Sequence, residues 1–273
     1  MTPPSTTPLS TTSPSTAPPS TPPTTAPTGT PCTTSADNGY CPGPGQDYSY
    51  PGIALSNGSN TYINNNVFNH NQLPSATQTL NAYDPGNWSV TANMAAGNTA
   101  VISGPQVRQD VPGGFDPLSN FHYIYASATD DQHPNSGTGA EFGYDIWTST
   151  SSGNAFSQEM MIWTDTINRG TCGGATPVAS NVSFGGSNGV PVESWNLCRN
   201  GPAGSGSEYI WYLPGTQDHG GHADVYAMLQ WMISHGYYSS GTGLNQLDET
   251  FEICSTGGQP ETFSASGLSI TSG

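Results

Sequence analysis

Three carboxylates sit inside short runs of strand-favouring residues: Glu159 in QEMMIW (158–163), Glu252 in FEIC (251–254) and Asp145 in YDIW (144–147). An ionised carboxylate is costly to bury unless something solvates it or uses it. On a strand, alternate residues share a face. Glu159, Met161 and Trp163 therefore line one face, and Met160 and Ile162 the other. Asp145 goes with Trp147 in the same way, and Glu252 with Cys254. A carboxylate beside an indole or a thioether suits the wall of a cleft, where the indole is a platform for a sugar ring. Two carboxylates across such a groove are what glycosidic hydrolysis requires: one attacks the anomeric carbon or activates water, and the other protonates the leaving oxygen. Taken singly, each residue also fits the solvent face of an amphipathic strand, since carboxylates stay mostly exposed.

The elements that must position these groups read as strands separated by Gly, Asn, Ser and Pro clusters. Candidates are 61–68, 88–93, 99–104, 121–127, 140–150, 156–165, 192–199, 208–214, 249–254 and 262–271. Many short strands so spaced predict a β-sandwich. One segment differs: Val225, Met228, Leu229 and Met232 recur at helical spacing before Gly236, which predicts one helix over about 224–235, packed outside a sheet. In DHGGHAD (218–224), two histidines among aspartates fit no zinc spacing, and Asp224 reads more simply as a helix N-terminal acid.

Composition narrows the ligand. Only 8% of residues are charged, the cations are Arg108, Arg169 and Arg199, and the net charge is -16. Such a chain is a poor partner for nucleic acid or an anionic membrane surface. Its 13 Tyr and 6 Trp, with abundant amides and hydroxyls, suit an uncharged polyhydroxylated ligand. Residues 1–31 hold 10 Pro and 16 Ser or Thr and no charge, the composition of an extended linker, so the catalytic domain is placed at 32–273. The start lacks signal-peptide character, which fits the mature form of a secreted, extracellular chain. Of five cysteines, Cys32–Cys41 and Cys172–Cys198 are the favoured bridges, with Cys254 a free thiol on the cleft; the sequence leaves other pairings open.

Five segments, in order, resemble glycoside hydrolase family 12. QEMMIW is similar to its nucleophile motif, ETFEICSTGG to its acid/base segment and YDIW to its helper-carboxylate strand. YINNNVFN resembles its N-terminal sugar-binding segment, and DVYAMLQWMISHG its single helix. The resemblance implies an all-β jelly-roll sandwich of two curved antiparallel sheets, with one packed α-helix and an open groove. It implies Glu159 as nucleophile, Glu252 as acid/base and Asp145 as helper. It implies Asn65 and Asn66 as sugar contacts, Phe68 where a stacking Trp is common, and Met161 and Trp163 as cleft floor. Trp147 shares the Asp145 face, and Trp195 in SWNL (194–197) is read as a further stacking aromatic, with a core tryptophan as the alternative.

The implied activity is retaining endo-hydrolysis of β-1,4-glucan by a monomer without cofactor or metal. For that, Glu252 must carry a proton in the resting enzyme. Alternatives are a xyloglucan-specific or mixed β-glucan/xylan hydrolase, and a non-catalytic carbohydrate-binding sandwich, for which paired strand carboxylates have no use. Few ion pairs and a strong negative charge further predict stability and activity at acid pH.

Overall fold

Alternation builds the strands. In 87–93 it buries Trp88, Val90 and Ala92 and turns Ser89 and Thr91 outward. The structure, a computed structural model, describes residues 40–41, 47–50, 60–73, 75–150, 157–169, 171–187, 189–201, 207–214 and 220–273. Its strands are β1 (Tyr40–Cys41), β2 (Asp47–Tyr50), β3 (Asn60–Asn64), β4 (Thr77–Asp84), β5 (Asn87–Asn93), β6 (Gln106–Asp110), β7 (Asp116–Pro117) and β8 (Ile124–Gln132). They continue as β9 (Thr138–Ser149), β10 (Gln158–Ile167), β11 (Thr176–Phe184), β12 (Glu193–Asn200), β13 (Glu208–Tyr212), β14 (Gly221–Asp224), β15 (Gly243–Thr256) and β16 (Glu261–Ser272). The linker at 1–31 and the Cys32–Cys41 bridge lie outside the described residues.

Two sheets form the expected sandwich. The smaller runs β1-β4-β5-β16-β8-β14 and the larger β11-β12-β13-β10-β9-β15-β6-β3-β2, with β7 on β15. Pairing is antiparallel except at β1–β4 and β10–β13. Aromatic rings fill the space between the sheets: Phe251 of β15 meets Phe142 of β9 at 4.7 Å and Trp88 of β5 at 5.5 Å between centroids. Such pairs add about 0.5–1.5 kcal/mol each beyond area burial.

The helix, α1 (Val225–Ser234), buries Val225, Met228, Leu229 and Met232, the residues whose spacing predicted it. Asp224 caps it by accepting from the Ala227 amide at 3.0 Å. Gly236 follows at φ 76°, a left-handed position that favours glycine. His222 is exposed beside the cap, and Asp218 and His219 lie outside the described residues.

The expected strand at 99–104 is absent; only Ser103 forms a bridge, to Ile253. Seven strands fall outside the expected segments: β1, β2, β4, β6, β7, β11 and β14. β11 is largely exposed and has no burial period to find. β4 has few strand-favouring residues and is held by pairing with β5.

Candidate active site

Three neighbouring strands of the larger sheet, β10, β9 and β15, carry the three carboxylates. On β10, Met160 and Ile162 join the inter-sheet core, while Glu159, Met161 and Trp163 face a cleft. On β9, Tyr144 and Ile146 are core, and Asp145 and Trp147 face the cleft. On β15, Leu247, Phe251 and Ile253 are core, and Gln246, Asp248 and Glu252 face the cleft. Period 2 thus operates on all three strands at once.

The cleft has a volume of about 600 Å³. Met161 and Trp163 pack with Ile210 and the Cys172–Cys198 disulfide to make its floor. Phe68, half exposed, stands on the rim. Asn64, Asn66, Gln106 and Arg108 line the wall near β3 and β6, and Asn200 and Glu208 the wall near β12 and β13. Asn66 donates to the Gln106 side chain at 2.8 Å, which fixes both amides. Arg108 stacks 4.7 Å from the Tyr62 ring and pairs with Asp110 at 3.2 Å.

Five carboxylates share this space: Asp145, Glu159, Glu208, Asp248 and Glu252. Burial, then Glu208, Glu252 and Asp248, raise Glu159 to about 8 from its ordinary 4.5. Burial, then Glu159, Glu252, Asp248 and Glu208, push Asp145 well above the usual carboxylate range. Burial also raises Glu208 and Asp248, the latter against hydrogen bonding from Gln246 and the Arg108 charge. A neutral Asp145 removes one negative charge from beside Glu159. The raised pKa of Glu159 runs against the depressed one that an acid activity optimum needs.

Three sequence readings are corrected. Trp195 is 1% exposed and belongs to the core between the sheets, so its indole cannot stack on a sugar. Its partner in β12 alternation, Asn196, carries the outward position and donates to the Tyr212 hydroxyl at 3.2 Å. Asn65 is also 1% exposed; its side chain accepts from Gln78 at 2.7 Å, away from the cleft. Asn64 and Asn66, on either side of it, are the cleft amides. Cys254 is free as expected but is buried and off the cleft, its Sγ accepting from Arg169 Nη1 at 2.7 Å.

Glu208, Asp248 and Arg169 line the cleft and were not singled out in the sequence. Glu208 heads the apolar run EYIWY and is the direct register partner of Glu159, so the rule that found Glu159 applies to it equally. Arg169 comes from the loop after β10, where no period exists to read.

No protein-family model and no curated protein sequence matches the chain. Solved structures do. The xyloglucanase domain of NopAA, a type three effector from Sinorhizobium fredii in complex with cellobiose, aligns over 84% of this chain and 97% of that one, with 23% identity and a TM-score of 0.66. The family 12 xyloglucanase from Bacillus licheniformis aligns over 84% and 100%, with 16% identity and a TM-score of 0.65. The catalytic domain of Humicola grisea Cel12A in complex with a soaked thio cellotetraose aligns over 83% and 99%, with 18% identity and a TM-score of 0.66. The β-sandwich, with one α-helix among the described residues, is the fold of the family 12 glycoside hydrolases.

Proposed function

We propose that the chain is a retaining endo-hydrolase of β-1,4-glucans, acting outside the cell. The observation that carries this reading is the convergence of Glu159, Glu252 and Asp145 from three neighbouring strands on one cleft. A binding module has no need to crowd carboxylates against one another at the cost that the raised pKa values of Glu159 and Asp145 record.

Glu159 attacks the anomeric carbon, forming a carbon–oxygen bond as the glycosidic bond breaks, and Glu252 gives its proton to the departing oxygen. Water then attacks the glycosyl-enzyme, Glu252 takes a proton from that water, and Glu159 leaves as carboxylate. Asp145, neutral, keeps a further negative charge from Glu159 while the latter is ionised. Trp147 and Phe68 offer the accessible apolar surface on which sugar faces rest, above the buried Met161 and Trp163, and Asn64 and Asn66 the amides for hydroxyls.

Two similar solved structures are named as xyloglucanases, so branched glucan is the second substrate class to test. The experiment is reducing-sugar release from barley β-glucan, xyloglucan and xylan by the wild type and by Glu159→Gln. Release from at least one glucan by the wild type alone supports the reading; equal release by both proteins, or binding without release, refutes it.

A further inference from the structure

Hydrolysis of a neutral glucan uses two carboxyls and a helper, yet five line the cleft. Glu208 of β13 and Asp248 of β15 have no part in it. Glu208 is the direct register partner of Glu159 on parallel strands, which sets the two backbones about 4.8 Å apart. It is partly exposed, and its one hydrogen bond among the described residues comes from Asn200 Nδ2 to Oε2 at 3.3 Å. Asp145 lines the cleft at 8% exposure, and its Oδ1 has no hydrogen-bond partner among the described residues. Asp248, fully buried behind the wall, is the register partner of Asp145.

The two cleft arginines do not answer this charge. Arg108 pairs with Asp110 at 3.2 Å, and Arg169 Nη2 donates to Glu141 Oε1 at 3.1 Å. No ion pair among the described residues reaches any of the five carboxyls. Nor are they gathered for a metal: among the described residues no three His, Cys, Asp or Glu side chains are grouped to hold an ion. The five are spread instead over β9, β10, β13 and β15.

We propose that the cleft accepts, besides neutral β-1,4-glucan, its amino counterpart, β-1,4-linked glucosamine, and that Glu208 binds the ammonium group beside the reacting bond. This rests on the hydrolase reading for turnover, and on the charge of the cleft for recognition.

The amino polymer differs from β-1,4-glucan in one group per ring, an ammonium at C2 in place of a hydroxyl. C2 is bonded to the anomeric carbon that Glu159 attacks, so its substituent lies beside Glu159 and within reach of the carboxyl on the neighbouring strand. A hydrogen bond between ionised groups is roughly twice as strong as one between neutral groups. The chemistry gains from such a partner. The transition state is oxocarbenium-like, and an ammonium on the next carbon opposes its positive charge. Carboxyls around the ring offset that opposition, which a neutral sugar does not present. The ammonium also favours the working state of the cleft. Burial, then mutual repulsion, resists ionisation of Glu159 and Asp145, and an opposite charge among them acts the other way. The bonds exchanged are those of the neutral substrate: the glycosidic bond breaks as Glu159 bonds to the anomeric carbon, water completes the exchange, and the ammonium is unchanged. At longer range, a chain of net charge -16 without lysine attracts a polycation.

The test compares cellohexaose with the hexamer of β-1,4-linked glucosamine at about pH 6, where an ordinary amine is charged. Calorimetry in the Glu159→Gln background measures binding, and product release by the wild type measures turnover. The amino hexamer should bind more tightly than the neutral one, and the ratio of the two affinities should fall as salt rises. Glu208→Gln should lower that ratio about 10-fold, the loss of a hydrogen bond to a charged group. Asp131→Asn removes the same charge from an exposed position on β8, away from the cleft, and should leave the ratio unchanged. The wild type should release shorter amino oligosaccharides. The proposal is overturned, with the hydrolase reading intact, by cleavage of cellohexaose alone. It is overturned equally by an amino hexamer bound no tighter than the neutral one, or by a ratio that Glu208→Gln moves no more than Asp131→Asn does. Cleavage of neither hexamer sinks the hydrolase reading, while the affinity ratio still decides whether the cleft recognises the ammonium group.

Discussion

Glu249 is a carboxyl placed between the two sheets, and replacing it with Gln should make the protein more stable in alkali. Its side chain points from β15 into the core, fully buried, with Oε2 accepting from Trp88 Nε1 of the opposite sheet at 2.9 Å. Oε1 has no hydrogen-bond partner among the described residues, which suits a neutral carboxyl and not an anion. Burial raises its pKa to about 8 from the ordinary 4.5, with Trp88 pulling the other way and Asp130 adding to the rise. The folded state therefore keeps a proton that the unfolded chain releases. The stabilisation is complete below the unfolded value near 4.5 and is lost as pH rises towards 8. At about 1.4 kcal/mol per pKa unit, the loss relative to low pH reaches roughly 3 kcal/mol at pH 7 and roughly 5 at pH 9. Gln keeps an acceptor for Trp88 and has nothing to titrate. Melting curves of both proteins from pH 5 to 9 read this directly. The wild type should fall steadily relative to Glu249→Gln, by on the order of 10 °C across the range for a domain of this size. Parallel curves would show that Glu249 is ionised in the fold, or solvated, and would refute the reasoning.

Other outcomes follow from the cleft. Glu252→Gln should lower kcat by about 10²–10⁴-fold. Azide should rescue Glu159→Ala with inverted product and Glu252→Ala with retained product; the reverse pattern, read by NMR of the product anomer, means the two roles are exchanged. After burial, Glu208 is the charge that acts most strongly on Glu159, so Glu208→Gln lets Glu159 ionise at lower pH and shifts the acid limb of the rate profile down by on the order of 1 pH unit. Trp195→Ala should cost about 3–5 kcal/mol of stability as a core truncation. Phe68→Ala should raise KM with the melting temperature unchanged.

The period-2 rule found the cleft because the three strands that carry it bury one face in the core and turn the other to one ligand. The same rule is blind to which face is which: Trp195 and Trp147 look alike in sequence, and only the sheet assigns the first to the core and the second to the cleft. Asn65 was misplaced for a different reason. The strand ends at Asn64, and Asn66 turns at φ 36°, so no strand period governs the run: the middle asparagine meets Gln78 and the outer two line the cleft. Arg169 and Glu141 were illegible, since their partnership joins a loop to a strand 28 residues away. Glu249 shares the strand of Glu252 but lies three residues away, on the opposite face, so its side chain enters the space between the sheets and meets Trp88. The expectation of acid stability gains a cause from Glu249 that composition did not contain.

The measurement that bears most directly on the central claim is the anomeric form of the first product released from a cello-oligosaccharide, followed by proton NMR before mutarotation. Double displacement at Glu159 with Glu252 as acid/base predicts the β-anomer first, and no product from Glu159→Gln. The α-anomer first, or wild-type rates from Glu159→Gln, would contradict it.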